Sequence, residues 1–360
     1  MVTLADIFQQ YGPDYCRQYG EKMLYSHRQV MRAVVRCRTP ALGGHVYHCP
    51  DCDEVAYRYH SCRNRHCPQC QQGLAQQWLA RQQALLLPVP YFLLTFTLPA
   101  SLRPLARQNQ KLIYDLLFRT AAAATQKLAN DPRFVGGQIG MVGILHTWAR
   151  DLSYHPHVHF LVPAGGLDRN TDYWRSANDS FLVPVKALSP IFRAKFRDGL
   201  HQTDLFDQVP AALWQQDWVV HCQPVGNGRA ALKYLAPYVF RVALSNNRLV
   251  KLADGQVTFR YKTSATGETK FCALPVCQFI HRFLQHVLPK GFVKVRYYGL
   301  FSAGNRQRLR LAWRSLLTQL PGPLPLMPPE PVSNIALPCP HCGQAMRLQT
   351  TLRPGQRAPP

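Results

Sequence analysis

Two pairs of cysteines have the clearest ligand spacing in this sequence. They are Cys49-Pro-Asp-Cys52 and Cys67-Pro-Gln-Cys70. Two such knuckles can supply four thiolates to one tetrahedral zinc ion, and a site with four protein ligands is structural because no position is open to a substrate. We therefore predict a structural Zn²⁺ bound by all four cysteines. A substitute ligand or a second zinc stays open, because other ligand types lie in or beside this segment: Cys37, Cys62, His48 and His66.

A third knuckle, Cys339-Pro-His-Cys342, lies far from the other two near the C-terminus. No second cysteine pair follows it in the sequence. It is either half of a zinc site that residues elsewhere complete, with Cys272 and Cys277 as candidates, or an unligated remnant.

Histidines at alternate positions indicate a second metal site of a different kind. His157 and His159 alternate with Val158 and Phe160, which is typical of a half-buried strand. The two imidazoles then share one face, with Cα atoms about 7 Å apart, and can converge on one ion. As third ligand we favour His146, near the end of the preceding predicted strand; His155 is the rival. Imidazole alone suits Zn, Cu, Fe or Ni better than Mg²⁺.

Tyr234 and Tyr238 are the candidate nucleophiles. Their i, i+4 spacing places both hydroxyls on one face of a helix, which Pro237 would kink. Because the unperturbed pKa of tyrosine is about 10, attack at neutral pH needs proton removal or a nearby cation. Lys233 and Arg241 are close in sequence. Two tyrosines four residues apart are more often packing residues, so the histidines are what favour a catalytic role.

Hydrophobic periodicity predicts a mixture of helices and strands without regular βαβ alternation, which favours an α+β fold. Helices are predicted at residues 5–35, with a break at Gly12-Pro13, and at 71–87, 102–129, 190–199 and 228–245. Strands are predicted at residues 91–98, 139–148, 157–162, 181–185, 219–225, 249–252 and 257–261. The chain becomes proline-rich after Trp313, which predicts a linker to a short tail.

Charge points to a polyanionic partner. The sequence has 42 lysines and arginines against 19 acids, a formal net charge of +23, so nucleic acid is the favoured ligand class. The N-terminus has no secretory signal pattern, and the longest apolar run falls short of the ~20 residues that span a bilayer. We expect a cytoplasmic, nucleoid-associated protein without membrane partners, in which the 12 cysteines act as thiolate ligands or buried thiols rather than disulfides.

The knuckles, the His-Val-His strand and the Tyr-x-x-x-Tyr helix together resemble the two-tyrosine HUH transposases of rolling-circle insertion sequences, which carry an N-terminal zinc-binding domain. The resemblance extends from about residue 37 to about residue 310. Four phrases make it specific: Cys37-Arg-Thr39, Ser61-Cys-Arg-Asn-Arg-His-Cys-Pro-Gln-Cys70, Phe96-Thr-Leu-Pro99 and Tyr234-Leu-Ala-Pro-Tyr238.

This resemblance implies three regions: a helical and zinc-binding domain at 1–87, an HUH catalytic domain with a largely antiparallel sheet flanked by helices at 88–315, and a tail at 316–360. It further implies that His157 and His159 bind Mg²⁺ or Mn²⁺, and that Tyr234 and Tyr238 attack single-stranded DNA at the element ends to form a 5′-phosphotyrosine. No motif fixes the third ligand, and the oligomeric state stays open.

Other functions fit part of the pattern. A zinc-dependent DNA-binding regulator explains the knuckles and the charge but not the histidine strand. A replication initiator or conjugative relaxase uses the same chemistry, although the zinc region favours the transposase. A zinc hydrolase would need a general-base carboxylate near His157, for which the sequence offers no convincing candidate.

Overall fold

The computed structural model describes residues 2–70, 78–79, 82, 86–228, 230, 232, 243–263, 266–319 and 337–356. Its helices are α1 (Leu4–Tyr19), α2 (Tyr25–Arg36), α3 (Arg103–Gln108), α4 (Gln110–Ala129), α5 (Val185–His201), α6 (Val276–Leu284) and α7 (Arg306–Gln319). Within this part of the chain, no helix is long and apolar enough to cross a membrane.

The strands are β1 (Gly44–His48), β2 (Val55–Tyr59), β3 (Pro90–Thr97), β4 (Gly140–Trp148), β5 (Tyr154–Pro163), β6 (Gly165–Leu167), β7 (Trp174–Ser176), β8 (Val220–Asn227), β9 (Leu249–Ala253), β10 (Gln256–Lys262), β11 (Thr269–Pro275), β12 (Val295–Gly299) and β13 (Arg347–Leu352). All their pairings are antiparallel. The predicted α+β class is confirmed.

The first helix continues through the position where the sequence predicted a break. Pro13 lies inside α1, and the chain turns only after Tyr19. Ile7, Phe8 and Tyr15 are buried in a core shared with α2 and α6, and this packing outweighs the loss of one helical hydrogen bond at proline. Gly12 belongs to that contact, since a Cβ there would lie 3.0 Å from the Met31 Cε.

The tail returns to the N-terminal region. Strand β13 pairs with β1, and β2 pairs with the other edge of β1, giving the order β13-β1-β2. Residues from both ends of the sequence therefore form one small sheet. A second three-stranded sheet, β11-β10-β9, packs with α1, α2 and α6 in a shared core.

The central sheet has the strand order β12-β4-β5-β3-β8. One face packs against α4 and α5 through a large apolar core. Phe96 of β3 contacts Phe192 of α5 with ring centroids 5.0 Å apart, and Phe160 of β5 contacts Phe118 of α4 at 6.2 Å. These are edge-to-face contacts, which fix the sheet against its helices.

The opposite face of the central sheet is divided into two parts. Val142, Ile144 and Leu161 form an apolar half that packs with α7 and with Leu232. Along the same strands, the other half carries histidines, because side chains two residues apart share a face. The apolar half holds the sheet in place, and the polar half brings the histidines together.

Two predicted elements differ from the structure. Residues 102–129 do not form one helix: α3 ends at Gln108, and the side chain of the following residue, Asn109, donates to the Leu105 carbonyl at 3.2 Å and so competes with the helical ladder. The strand predicted at residues 181–185 does not form: Phe181 makes a single isolated bridge with Asn178, and Val185 is already the first residue of α5. The helices predicted at 71–87 and 228–245 fall mostly outside the described residues.

Candidate metal centres

Three histidines converge on the polar half of the central sheet. Strand pairing places His146 of β4 directly opposite His157 of β5, and His159 follows on the same face. Their potential ligand nitrogens all lie within 4.8 Å of one another. We call these three residues the histidine cluster. The structure thus brings His146, the favoured third candidate, together with the His-Val-His pair.

Hydrogen bonds orient two of the rings. His157 donates from Nδ1 to the His155 carbonyl at 2.6 Å, which leaves its Nε2 lone pair for a metal. The Nδ1 of His159 shares a hydrogen bond of 2.9 Å with the Thr95 hydroxyl across the β3–β5 pair. Outer partners of this kind fix the tautomer and direction of metal-binding imidazoles.

Burial keeps the imidazoles of His157 and His159 neutral. Desolvation lowers the pKa of His157 to about 4 and that of His159 to about 3. Neutral imidazole is the form that binds metal, so at neutral pH these two residues can bind without losing protons. His146 is 3% exposed and stacks on Trp148 with ring centroids 4.8 Å apart.

His155, the rival third ligand, has a different partner. Its Nδ1 lies 2.7 Å from Nη2 of Arg103, and because a guanidinium can only donate, the histidine nitrogen accepts. His155 is absent from the convergent group, which holds three imidazoles and no carboxylate among the described residues. Its backbone carbonyl nevertheless supports His157.

Cys37, Cys62, Cys67 and Cys70 form the first of two cysteine groups, which we call the local cysteine cluster. Cys37 follows α2 and the others follow β2. The Sγ atom of Cys70 lies 3.4 Å from that of Cys37 and 3.5 Å from that of Cys62, close to the ~3.8 Å edge of a tetrahedron with 2.3 Å Zn–S bonds. Hydrogen bonding from Cys67 lowers the pKa of Cys62 to about 5, whereas burial raises the pKa of Cys37 to about 12.

The second group joins residues from both ends of the sequence. Cys49, Cys52, Cys339 and Cys342 form what we call the bridging cysteine cluster. Its Sγ atoms lie 3.5 Å apart for Cys49–Cys342 and 3.6 Å for Cys52–Cys339, pairs separated by 293 and 287 residues. These Sγ–Sγ distances are too long for disulfides, whose S–S bond is about 2.05 Å, but they suit thiolates that share a zinc ion.

The two knuckles of the bridging cysteine cluster have the same backbone design. Cys49 donates its N–H to the Glu54 carbonyl, and Cys339 donates to Gln344 at the equivalent position. The residue after each knuckle, Asp53 or Gly343, has a positive φ, at 56° and 79°. Each knuckle turns sharply and presents both thiols to one point.

The predicted grouping of the cysteines therefore needs correction. Cys49 and Cys52 do not share a site with Cys67 and Cys70; each pair completes its set with other cysteines. The β1–β13 pairing brings Cys339 and Cys342 to the first pair, while the end of α2 brings Cys37 to the second. Neither His48 nor His66 is a member: His48 pairs with Asp53 at 3.1 Å, and His66 accepts from the Leu288 N–H at 3.3 Å.

Contacts connect the local cysteine cluster to the histidine sheet. Besides the His66 contact, Arg65 donates to the Phe292 carbonyl at 2.6 Å. Lys294, two residues further on, places Nζ 5.1 Å from the centre of the Trp148 ring, which stacks on His146. Arg65 and His66, which lie between the ligands Cys62 and Cys67, thus contact residues 288–292. This segment leads to Lys294, which lies against the Trp148 ring beside His146.

Tyr234 and Tyr238 lie outside the described residues. Leu232, two positions before Tyr234, is described and is 1% exposed. It packs with Val142, Ile144 and Leu161 on the face that carries the histidine cluster.

Similarity to known proteins agrees with these centres. Residues 7–98 match the family model described as "Transposase zinc-binding domain", and residues 140–308 match the model described as "Putative transposase". The chain is 37% identical to the putative transposase y4qJ of Sinorhizobium fredii over 386 aligned positions, covering 99% of this chain and 97% of that protein. The chain belongs to this transposase family. No solved structure matches it.

A second relative of the transposase comes from a named mobile element. The transposase for insertion sequence element IS801 of Pseudomonas savastanoi pv. phaseolicola is 31% identical over 343 positions, covering 88% of this chain and 82% of the relative. Membership identifies a DNA-acting, DNA-cleaving enzyme of an insertion sequence with a zinc-binding domain. The predicted family resemblance is confirmed.

One contributor to the histidine cluster was not predicted. The sequence predicts Thr95 only as a strand residue, yet its hydroxyl forms a hydrogen bond with His159. The sequence signal was its position two residues before the Thr97-Leu-Pro99 phrase, but only the β3–β5 register, which pairs Thr95 with His159, reveals its role.

Proposed function

We propose that this transposase cuts and rejoins single-stranded DNA at the ends of its element, using Tyr234 and Tyr238 as nucleophiles and a divalent cation held by His146, His157 and His159. The observation that carries the proposal is the convergence of three imidazoles on a partly open sheet face. Four-cysteine sites are closed and structural, whereas three ligands leave room for a substrate oxygen. Leu232 brings the chain onto this face just before Tyr234.

In the proposed cleavage step, a tyrosine hydroxyl oxygen forms a bond to the scissile phosphorus, and the bond from phosphorus to the 3′-oxygen breaks. The tyrosine loses its proton, and the leaving 3′-oxygen gains one. The product is a 5′-phosphotyrosine and a free 3′-hydroxyl, so the phosphodiester energy is kept and the reverse step rejoins a strand without nucleotide hydrolysis. The second tyrosine supports a second transfer.

The histidine cluster fits a divalent cation, which when bound would polarise the phosphate and stabilise the developing charge. The chain's own part is orientation. The His155 carbonyl and the Thr95 hydroxyl fix two imidazoles, and Trp148 stacks on the third. Because imidazole nitrogen is softer than the oxygen ligands that Mg²⁺ prefers, we expect Mn²⁺ to support more activity than Mg²⁺.

Two organisational features complete the proposal. We assign residues 1–87 to the zinc-binding domain, 88–315 to the catalytic domain and 316–360 to the tail, with the tail joined to the first domain through the β1–β13 pair. With a net charge of +23, the transposase would associate with the nucleoid in the cytoplasm.

Covalent capture tests the proposal. Protein is mixed with 5′- or 3′-labelled single strands bearing the element ends, with Mn²⁺ or EDTA, and resolved on a denaturing gel. We expect a heat-stable protein–DNA band that EDTA removes and that Tyr234→Phe with Tyr238→Phe abolishes. Tyr173→Phe is the matched control, because Tyr173 is 63% exposed and remote in sequence from the candidate pair. A band that survives the double substitution overturns the nucleophile assignment.

A further inference from the structure

A cleft of about 690 Å³ lies beside the start of β5, outside the histidine cluster. It is lined by the turn between α1 and α2, by α3, and by Tyr154 and Gln285. Three cations face it: Lys22 from the turn, and Arg103 and Arg107 from α3. The lining includes no acidic side chain.

The positive charge of this cleft is not neutralised. In the described part of the chain, no carboxylate forms an ion pair with Lys22, Arg103 or Arg107. The protein does pair several other arginines, such as Arg296 with Asp115. Three unpaired cations around one concave space attract anions strongly, because a cleft focuses the field of its lining charges.

Neutral partners hold two of these cations in position. Arg103 donates to Nδ1 of His155 at 2.7 Å, and Arg107 donates to Nε2 of His281 at 3.0 Å. The other ring nitrogen of His281 bonds the Tyr15 hydroxyl at 3.2 Å, which connects Arg107 to α1. Arg28 fastens the turn that carries Lys22 by donating to the Gly20 carbonyl at 2.6 Å. The cations are thus oriented at little conformational cost while their charge stays available.

The cleft lies at the start of β5, the strand that carries His157 and His159 of the histidine cluster. Tyr154 lines it, and His155, which holds Arg103, lies on the same strand two residues before His157. The rings of His155 and His157 are 5.3 Å apart. Leu24, another lining residue, precedes Tyr25, whose side chain is 70% exposed and offers a face on which a base can stack.

We infer that this cleft binds the phosphodiester backbone of the single DNA strand that continues from the scissile phosphate, an inference that rests on the proposed function. The size of the cleft favours a single strand. A volume of about 690 Å³ is that of a small-ligand pocket and suits one or two nucleotides, whereas a duplex needs a much wider surface. Lysine and arginine around a backbone, with an aromatic side chain alongside, are typical of single-strand binding.

The test measures binding without cleavage. Fluorescein-labelled dT20 is titrated by anisotropy in EDTA at several NaCl concentrations, with a 20-base-pair duplex as the second probe. The triple variant Lys22→Gln, Arg103→Gln, Arg107→Gln should weaken dT20 binding by about ten-fold or more and should lower the slope of log Kd against log salt by roughly 2, because each single-strand phosphate contact contributes about 0.7. The duplex should lose less.

Two further proteins keep the test specific. Arg169→Gln changes one exposed arginine beyond the far end of β5 and should leave the slope for dT20 unchanged. Arg103→Lys with Arg107→Lys keeps the charge and should keep most of the slope, which separates lost charge from a damaged fold. A wild-type slope in the triple variant, or equal losses on dT20 and duplex, overturns the inference.

The outcome is independent of the cleavage chemistry. If wild-type protein forms no tyrosine adduct but the triple variant shows the reduced slope, the proposed function fails and the binding cleft stands. If the adduct forms and the slope does not change, only the cleft assignment fails.

Discussion

The two cysteine clusters have four potential ligands each and the histidine cluster has three, but the two kinds of site lie in different secondary structure. Each cysteine cluster supplies four thiols from turns that lie outside the central sheet. The histidine cluster supplies three imidazoles from two paired strands of that sheet. A closed site in turns stabilises loops that have little core of their own, whereas an incomplete site on a rigid sheet is positioned without its metal and can accept a substrate.

The largest expected effect is on cleavage. His157→Ala should reduce strand cleavage by about a thousand-fold or more, since both charge stabilisation and phosphate positioning are lost. Its zinc content and melting temperature should stay near the wild-type values, because the sheet is held by its apolar core. His201→Ala, in the exposed last turn of α5, is the matched control. A parallel loss of zinc in the His157 variant would contradict the separation of the two kinds of site.

Substitution of a cysteine ligand should affect folding rather than chemistry. The loss of stability should differ between the two cysteine clusters. The local cysteine cluster lies in the core that α1 and α2 share with α6, whereas the bridging cluster has a small core of Cys49, Cys339 and Met346. Cys67→Ser should therefore destabilise the protein by several kcal/mol, while Cys339→Ser should leave most of the protein folded. We expect two zinc ions per wild-type chain and one in the Cys339 variant.

Zinc analysis and limited proteolysis measure this difference. In the Cys339 variant, cleavage should concentrate within residues 337–356, which lose their anchor. Cys16→Ser is the control, because Cys16 is half-buried and belongs to neither cluster. One zinc per wild-type chain, or equal destabilisation by both variants, would refute the distinction.

A smaller effect is expected at Thr95. Thr95→Val keeps the side-chain shape but removes the hydroxyl that orients His159, so activity or metal affinity should fall by roughly ten- to a hundred-fold. Thr97→Val is the control, since Thr97 lies on the same strand and face, opposite His157. Activity titrated against Mn²⁺ should show a raised metal requirement for the Thr95 variant. The same shift in both variants would argue against a specific role.

The smallest expected effect is on the pH dependence of stability, through His286 and His66, which lie where the local cysteine cluster contacts the histidine sheet. His286 is 2% exposed and donates from Nε2 to the Leu152 carbonyl, while its Nδ1 bonds the Thr147 hydroxyl. Burial lowers its pKa to about 4, from about 6.5 in an unfolded chain. The unfolded state therefore takes up the proton first, and the contribution of His286 is complete above pH ~6.5 and is lost as the pH falls towards 4.

Burial also lowers the pKa of His66 to about 3, so this residue acts in the same direction. Between pH 7.5 and pH 4.5, the melting temperature of the wild-type protein should fall by a few degrees more than that of the His286→Asn variant. This difference corresponds to a loss of up to about 3 kcal/mol in the free energy of unfolding. Zinc content measured at each pH separates this effect from protonation of cysteine ligands. Parallel pH profiles for the two proteins would show that His286 does not contribute.

How much the sequence predicts follows from the same contrast. The histidine cluster can be predicted from the sequence because it depends only on strand alternation and one hairpin. The two-residue period places His157 and His159 on one face, and the hairpin brings them beside His146. The cysteine grouping was not accessible, because the sequence contains three Cys-Pro-x-Cys knuckles of equal quality. Only the long-range β1–β13 pair selects the correct partners. Local patterns likewise missed the continuation of α1 past Pro13, where tertiary packing decides.

The bridging cysteine cluster also has a consequence for synthesis. All four cysteines of the local cluster leave the ribosome within a short stretch of chain, so that site can bind zinc early. The bridging cluster cannot form until Cys339 has been synthesised, 287 residues after Cys52. At 5–20 residues per second, this delay is roughly 15 to 60 seconds. During that time two thiols of the nascent chain stay unpaired, and a ribosome that stops before residue 339 releases a protein whose first small sheet lacks both its third strand and its metal.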